Sequence, residues 1–167
     1  LDAATSRLRP IFKGLLIGRI LRLLLNGNTS RLNIQLALKA TRSSGRGVQV
    51  LATTPRSRGE DVLIPELQGA GIEKIPLGTR LEITVTNNES QELYMSLIGI
   101  NSHGAVNILS PYNYEDPEAE SRVGAMEVYS FPRIRATEPV GLSELLVVAS
   151  TSPLDKALKI IKRNVPP

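Results

Sequence analysis

Hydrophobic positions change period along this chain, and the change sets its organisation. Residues 6–26, SRLRPIFKGLLIGRILRLLLN, carry Leu8, Ile11, Phe12, Leu15 and Leu16 at the i, i+3, i+4, i+7, i+8 spacing of one helical face. Thr5 or Ser6 is placed to cap the start, and Asn26-Gly27 is a stop signal. Beyond Gly18 the pattern blurs, because Leu21, Leu23, Leu24 and Leu25 surround Arg19 and Arg22. A helix apolar nearly all round usually packs between two bodies.

From Arg31 the period drops to two. Leu32, Ile34, Leu36 and Leu38 alternate with Asn33, Gln35, Ala37 and Lys39, the mark of a half-buried strand. TRSSGRG (41–47) reads as a polar loop, VQVLAT (48–53) as a strand and TPRSRGED (54–61) as a charged loop. Residues 62–78 hold Pro65, Gly69, Gly71, Pro76 and Gly78, too many breakers for a regular element. The clearest strands follow: RLEITVT (80–86), ELYMSLIGI (92–100) and AVNIL (105–109), joined by turns at 87–90 and at NSHG (101–104). SPYNYEDPEAESRVG (110–124) is a long acidic loop. AMEVYSF (125–131) and ELLVVAS (144–150) are further strands, with RIRAT (133–137) a short one between them. ELLVVAS is apolar on both faces, which predicts a central strand. The chain closes on a helix that Ser152 would cap, with Pro153 at its first position and Asp155 near the positive dipole end. Leu154, Leu158 and Ile161 form its buried stripe, and Lys156, Lys159, Lys162 and Arg163 stay outside.

Many short strands at close spacing predict a mainly β fold, an antiparallel β-sandwich with an N-terminal helix and a short C-terminal helix. The expected division is a linking helix over 1–27 and a β-sandwich accessory domain over 28–167. No internal repeat stands out.

Composition changes this picture in three places. With 41% hydrophobic residues but two Phe and no Trp, the core must be built from Leu, Ile and Val. With no cysteine, disulfides, thiolate zinc sites and a Cys nucleophile are excluded, which fits a reducing, cytoplasmic setting. Charge is uneven: residues 1–60 carry 11 Lys/Arg against Asp2 and Glu60, a net of +9, and residues 61–167 carry 9 against 14, a net of −5. No stretch reaches the ~18 charge-free apolar residues of a membrane span. The start at Leu1-Asp2, with no Met and no signal-peptide cleavage pattern, reads as a piece cut from something longer.

Candidate chemistry is sparse. His103 is the single histidine, at the end of an apolar run and beside a glycine, which is also how a caspase-type protease presents its base. That site needs a cysteine beside the histidine, and the chain has none. Asn101, Ser102 and Gly104 are hairpin-turn formers, so His103 reads as a turn residue. Ser150, Thr151 and Ser152 lie between a strand and a helix, yet lack the glycines of a nucleophile elbow and read as capping residues. Glu115, Asp116, Glu118 and Glu120 lack the spacing of a calcium loop. GRG (45–47) and GAG (69–71) are isolated turns, not phosphate cradles. No cofactor is expected, and no catalytic, cofactor-binding or metal residue is assigned.

The basic first third poses a binding question. Its cations spread over a helix, a strand and two loops with only Phe12 for base stacking, so nucleic acid is not the expected partner. The cations of the helix do not segregate onto one face, as a basic membrane-surface helix would require.

Three stretches carry a family likeness: LLIGRILRLLLNGNTSRLNIQLAL, LEITVTNNESQELYMSLIGINSHGAVNILSP and ELLVVASTSPLDKAL. Together they resemble the accessory domain found C-terminal to bacterial caspase-like cysteine proteases, the orthocaspases and metacaspase relatives, over most of residues 15–160. The resemblance implies a non-catalytic accessory or regulatory module of a cysteine endopeptidase, whose catalytic Cys and His lie upstream of Leu1. The partner it implies is the caspase-like catalytic domain of the same protein. Such proteases cut after Arg or Lys, which makes Arg42, Arg46, Arg56 and Arg58, in the two basic loops, candidate self-processing positions. The alternative is a stand-alone binding module whose basic N-terminal third contacts nucleic acid or anionic membrane. Oligomeric state is not readable from the sequence.

Overall fold

A computed structural model describes residues 2–24, 32–41, 48–54, 75–112 and 121–164. The element order is α1 (Asp2–Leu24), β1 (Ile34–Thr41), β2 (Val48–Thr54), β3 (Arg80–Asn87), β4 (Leu93–Ile100), β5 (Val106–Ser110), β6 (Arg122–Val123), β7 (Val128–Ser130), β8 (Ile134–Arg135), β9 (Glu144–Ser150) and α2 (Asp155–Asn164). The protein is mainly β, with two antiparallel sheets, an N-terminal helix and a short C-terminal one, as the changing periodicity predicts.

The chain forms two compact units. One holds α1, most of β4, β5, β9 and α2. Here β4 is the shared strand of a four-stranded sheet. β9 pairs its length from Tyr94↔Ser150 to Ile100↔Glu144, and β5 pairs its second half. Ile98 and Ile100 of β4, Val106 of β5 and Leu146 of β9 form a cluster with Leu21 of α1 and Leu158 of α2. Both helices therefore cover one face of this sheet. In a strand, alternate residues share a face, so Ile108 and Val148 join the same layer.

The other unit holds β1, β2, β3, β7 and β8. β1 pairs in register with β3 from Ile34↔Asn87 to Thr41↔Arg80, and with β2 through a bulge at Leu38/Lys39. β7 and β8 also pair with β3. Leu81, Ile83 and Val85 alternate into the core with half-buried residues between them, as the period-two pattern requires. Tyr129 and Phe131 meet edge to face, ring centroids 5.1 Å apart.

Four expectations are corrected. The first concerns α1. Of the predicted apolar face, Leu8, Phe12, Leu15 and Leu16 are exposed and the Ile11 side chain lies outside those described, whereas Gly14, Gly18 and Leu21 are buried and Ile17 half-buried. Gly18 lies against the sheet, where a Cβ would meet Ile100 and Val106 at 3.8 Å. The second concerns β9, whose described partner is β4 alone. The fully buried strand is β4, with Leu93, Met95, Leu97, Ile98 and Ile100 at 0–1% exposure. Thirdly, AMEVYSF is a strand only at 128–130. Gly124–Glu127 is a turn in which the Glu127 carboxylate accepts the Gly124 N–H at 2.6 Å and Met126 adopts φ +58°. Finally, α2 begins at Asp155, and its first bond runs from Leu158 N–H to Leu154 O at 2.9 Å. Leu154 packs against the core, and that burial outweighs the capping preference of Ser152.

Candidate functional site

The NSHG turn is held by its own polar groups. Asn101 Oδ1 accepts the N–H of His103 at 3.0 Å and of Ala105 at 2.9 Å, and the Asn101 and Gly104 amides donate to Ala105 O and Asn101 O. An Asn side chain closing the backbone two residues on is a turn device. Gly104 takes φ +78°, and the Leu15 side chain of α1 occupies the space a Cβ would need. On the other flank, Ser102 Oγ donates to Val140 O at 3.2 Å, and Gly141, at φ +136°, lies against Ser102. The turn thus joins β4 and β5, touches α1 and meets the segment leading into β9. His103 is exposed, and only its backbone is used in these bonds. The described surroundings give its imidazole no nucleophile to activate.

Ser150 and Ser152 likewise act locally: Ser150 Oγ accepts the Ser152 N–H at 3.0 Å. That contact shapes the link from β9 to α2. Arg42, Arg46, Arg56 and Arg58 lie outside the described residues, as do Glu115, Asp116, Glu118 and Glu120. Among the described residues no three His, Cys, Asp or Glu side chains gather as a metal site would require. Nor, among those residues, is any helix long and apolar enough to cross a membrane.

A polar centre that the sequence reading did not single out is Asn87, fully buried at the end of β3. Its Nδ2 donates to Gln91 O at 2.9 Å and Gly124 O at 2.8 Å, and its Oδ1 accepts the Glu89 N–H at 3.0 Å. Glu89 then accepts the Asn33 N–H at 2.6 Å, and Asn88 N–H donates to Asn33 O at 2.9 Å. One side chain therefore ties the β3–β4 turn to the Gly124 turn, while its neighbours reach the start of β1. The available signal was the Asn-Asn-Glu-Ser run, read only as a turn. Every group Asn87 touches is structural, and no open site surrounds it.

The remaining unusual surface is α1. With 3.6 residues per turn, Leu8, Phe12, Leu15, Leu16, Ile20 and Leu23 fall within an arc of about 140°. That arc lies opposite the Gly14–Ile17–Gly18–Leu21 face. Phe12 is 63% and Leu23 72% exposed, against 8% for Leu21. The exposed cations Arg9, Lys13 and Arg19 lie beside or within the same arc. Surface of this kind suits binding and offers no chemistry for bond making.

Residues 74–153 match the family model described as a domain of unknown function, DUF4384. The matched stretch runs from just before β3 to the β9–α2 connection and includes the NSHG turn and Asn87. No curated protein and no solved structure matches the chain.

Proposed function

We propose that this chain is a non-catalytic accessory or regulatory module of a caspase-like cysteine endopeptidase, with the catalytic Cys and His elsewhere in the parent protein. The observation that carries the reading is the segment from β3 to β5. LEITVTNNESQELYMSLIGINSHGAVNILSP, one of the three stretches that resemble the accessory domains of such proteases, lies within residues 74–153, which match the domain-of-unknown-function model. Its polar residues Asn87 and Asn101, and Gly104 at φ +78°, serve turns and buried hydrogen bonds. That is the economy of a scaffold, and a chain without cysteine has no caspase nucleophile of its own.

On this reading the partner is the caspase-like catalytic domain of the same polypeptide. Sequencing the coding region upstream of the Leu1 codon tests it. A His-Gly strand end followed by a Cys signature is the expected result, and an unrelated upstream domain contradicts the proposal. The same reading makes Arg42, Arg46, Arg56 and Arg58 self-processing positions. Incubating the parent protease with and without its active-site Cys, then sequencing the fragments, checks this. Cys-dependent cuts after one or more of these arginines are expected, and their absence removes the processing role.

A further inference from the structure

The outer face of α1 is a continuous exposed apolar surface, and its chemistry is not neutral. Six large side chains, Leu8, Phe12, Leu15, Leu16, Ile20 and Leu23, run along about 22 Å of helix at 1.5 Å per residue. Between Ala3 and Leu24 there is no acidic residue, while Arg9, Lys13 and Arg19 are exposed along this stretch. α2 packs beside α1 on the same sheet face and adds exposed Lys156, Lys159, Lys162 and Arg163. Its single acid, Asp155, lies 3.7 Å from Lys159. The helical layer of this unit is thus apolar along α1 and cationic along both helices.

We propose that this layer docks on the surface of an anionic lipid bilayer, with α1 lying in the interface and its Gly14–Gly18 face remaining on the protein. Leu, Ile and Phe side chains supply the buried apolar area. Arg9, Lys13 and Arg19 form no separate polar face but lie within or beside the apolar arc, and they reach the headgroup phosphates and carboxylates along their own aliphatic stems. Charge selects this occupant over a second copy of the chain. A face-to-face α1 pair would bring two sets of cations together with only the terminal Asp2 of each helix to balance them. It also selects lipid over nucleic acid, since one phenylalanine among five aliphatic side chains gives bases almost nothing to stack on. The division of labour on α1 accounts for its unusual composition: one face is small and fits the sheet, and the other is large and fits the acyl boundary. The exposed cations Arg9, Lys13, Arg19, Lys156, Lys159, Lys162 and Arg163 can exert a screened, long-range attraction before apolar contact forms.

The test is co-sedimentation of the 167-residue chain with phosphatidylcholine vesicles containing about 30% phosphatidylserine, and with phosphatidylcholine alone. Binding to the anionic vesicles, weakened at about 0.5 M NaCl, is expected. The combined variant Phe12→Ser, Leu16→Ser, Leu23→Ser changes only exposed side chains, and its fold is checked by circular dichroism. It should bind about tenfold more weakly, as should Arg9→Gln, Lys13→Gln, Arg19→Gln, which leaves every apolar contact intact. Failure of the wild-type chain to sediment with anionic vesicles overturns the proposal. So does binding unaffected by the serine variant, because attraction would then be purely electrostatic. A dimer detected by light scattering and dissolved by the serine substitutions, without vesicle binding, reassigns the face to a second copy and overturns it equally.

Discussion

Two side chains, Asn87 and Asn101, convert ordinary turns into fixed ones, and their energetics are separable. Asn87 is fully buried with its amide donating to two carbonyls and accepting one N–H. Removing it leaves buried backbone groups unpaired, a loss of about 2–4 kcal/mol. Asn87→Ala should lower the urea midpoint accordingly with an unchanged slope. Asn87→Asp should recover little, because a carboxylate keeps the acceptor and loses both donor contacts. At the NSHG turn the prediction divides neighbours. Gly104→Ala places a Cβ at φ +78° and against Leu15, so it should destabilise by about 1–3 kcal/mol. His103→Ala removes an exposed imidazole and keeps the backbone N–H that Asn101 holds, so stability should stay close to wild type, within about 0.5 kcal/mol by thermal melt. Equal losses at the two positions would mean that the histidine side chain has a structural partner.

At the scale of elements, α1 shows how a periodic pattern can be read correctly and oriented wrongly. The heptad-like spacing of Leu8, Phe12, Leu15 and Leu16 does mark a helix. Burial, however, follows the smaller residues: Gly14 is buried, and Gly18 lies against Ile100 and Val106. Their i, i+4 spacing was the available signal, hidden because glycine scores as a helix breaker and not as an interface. At Gly18 a Cβ would meet Ile100 and Val106 at 3.8 Å, ordinary contact distance. Gly18→Ala should therefore stabilise the chain by about 0.5–1 kcal/mol through helix propensity, read as a higher thermal midpoint. A drop would mean that the helix sits closer to the sheet than these distances allow. Strands were more legible than helices. β3, β4, β5 and β9 fall within a residue or two of their predicted limits, since alternation or apolar runs bounded by turn formers leave little choice of register. The failures lie where one hydrogen bond overrides a pattern, as at Gly124–Glu127, or where burial of one side chain overrides a cap, as at Leu154. Which strand of the sheet is shared was not legible, because β4 and β9 are both rich in apolar residues and pairing is a non-local property.

The whole chain has no cysteine, and its one histidine lies in a turn that holds it by its backbone N–H. Charge is distributed unevenly: +9 over the first 60 residues, with α1 contributing cations beside an exposed apolar arc. An accessory module of a protease and a lipid-facing helical layer are compatible roles for one chain, since each uses surface and neither uses a nucleophile. The lipid-facing role rests on which side of α1 faces outward, and the cysteine-free sequence makes that measurable with single thiols. Native-state labelling rates of Leu16→Cys, Leu23→Cys and Leu21→Cys by a maleimide reagent settle the orientation directly. Thiols at positions 16 and 23 should react at nearly the rate of an unfolded reference peptide, and the thiol at position 21 at least about a hundredfold more slowly. Slow labelling at 16 and 23 with fast labelling at 21 would contradict the account.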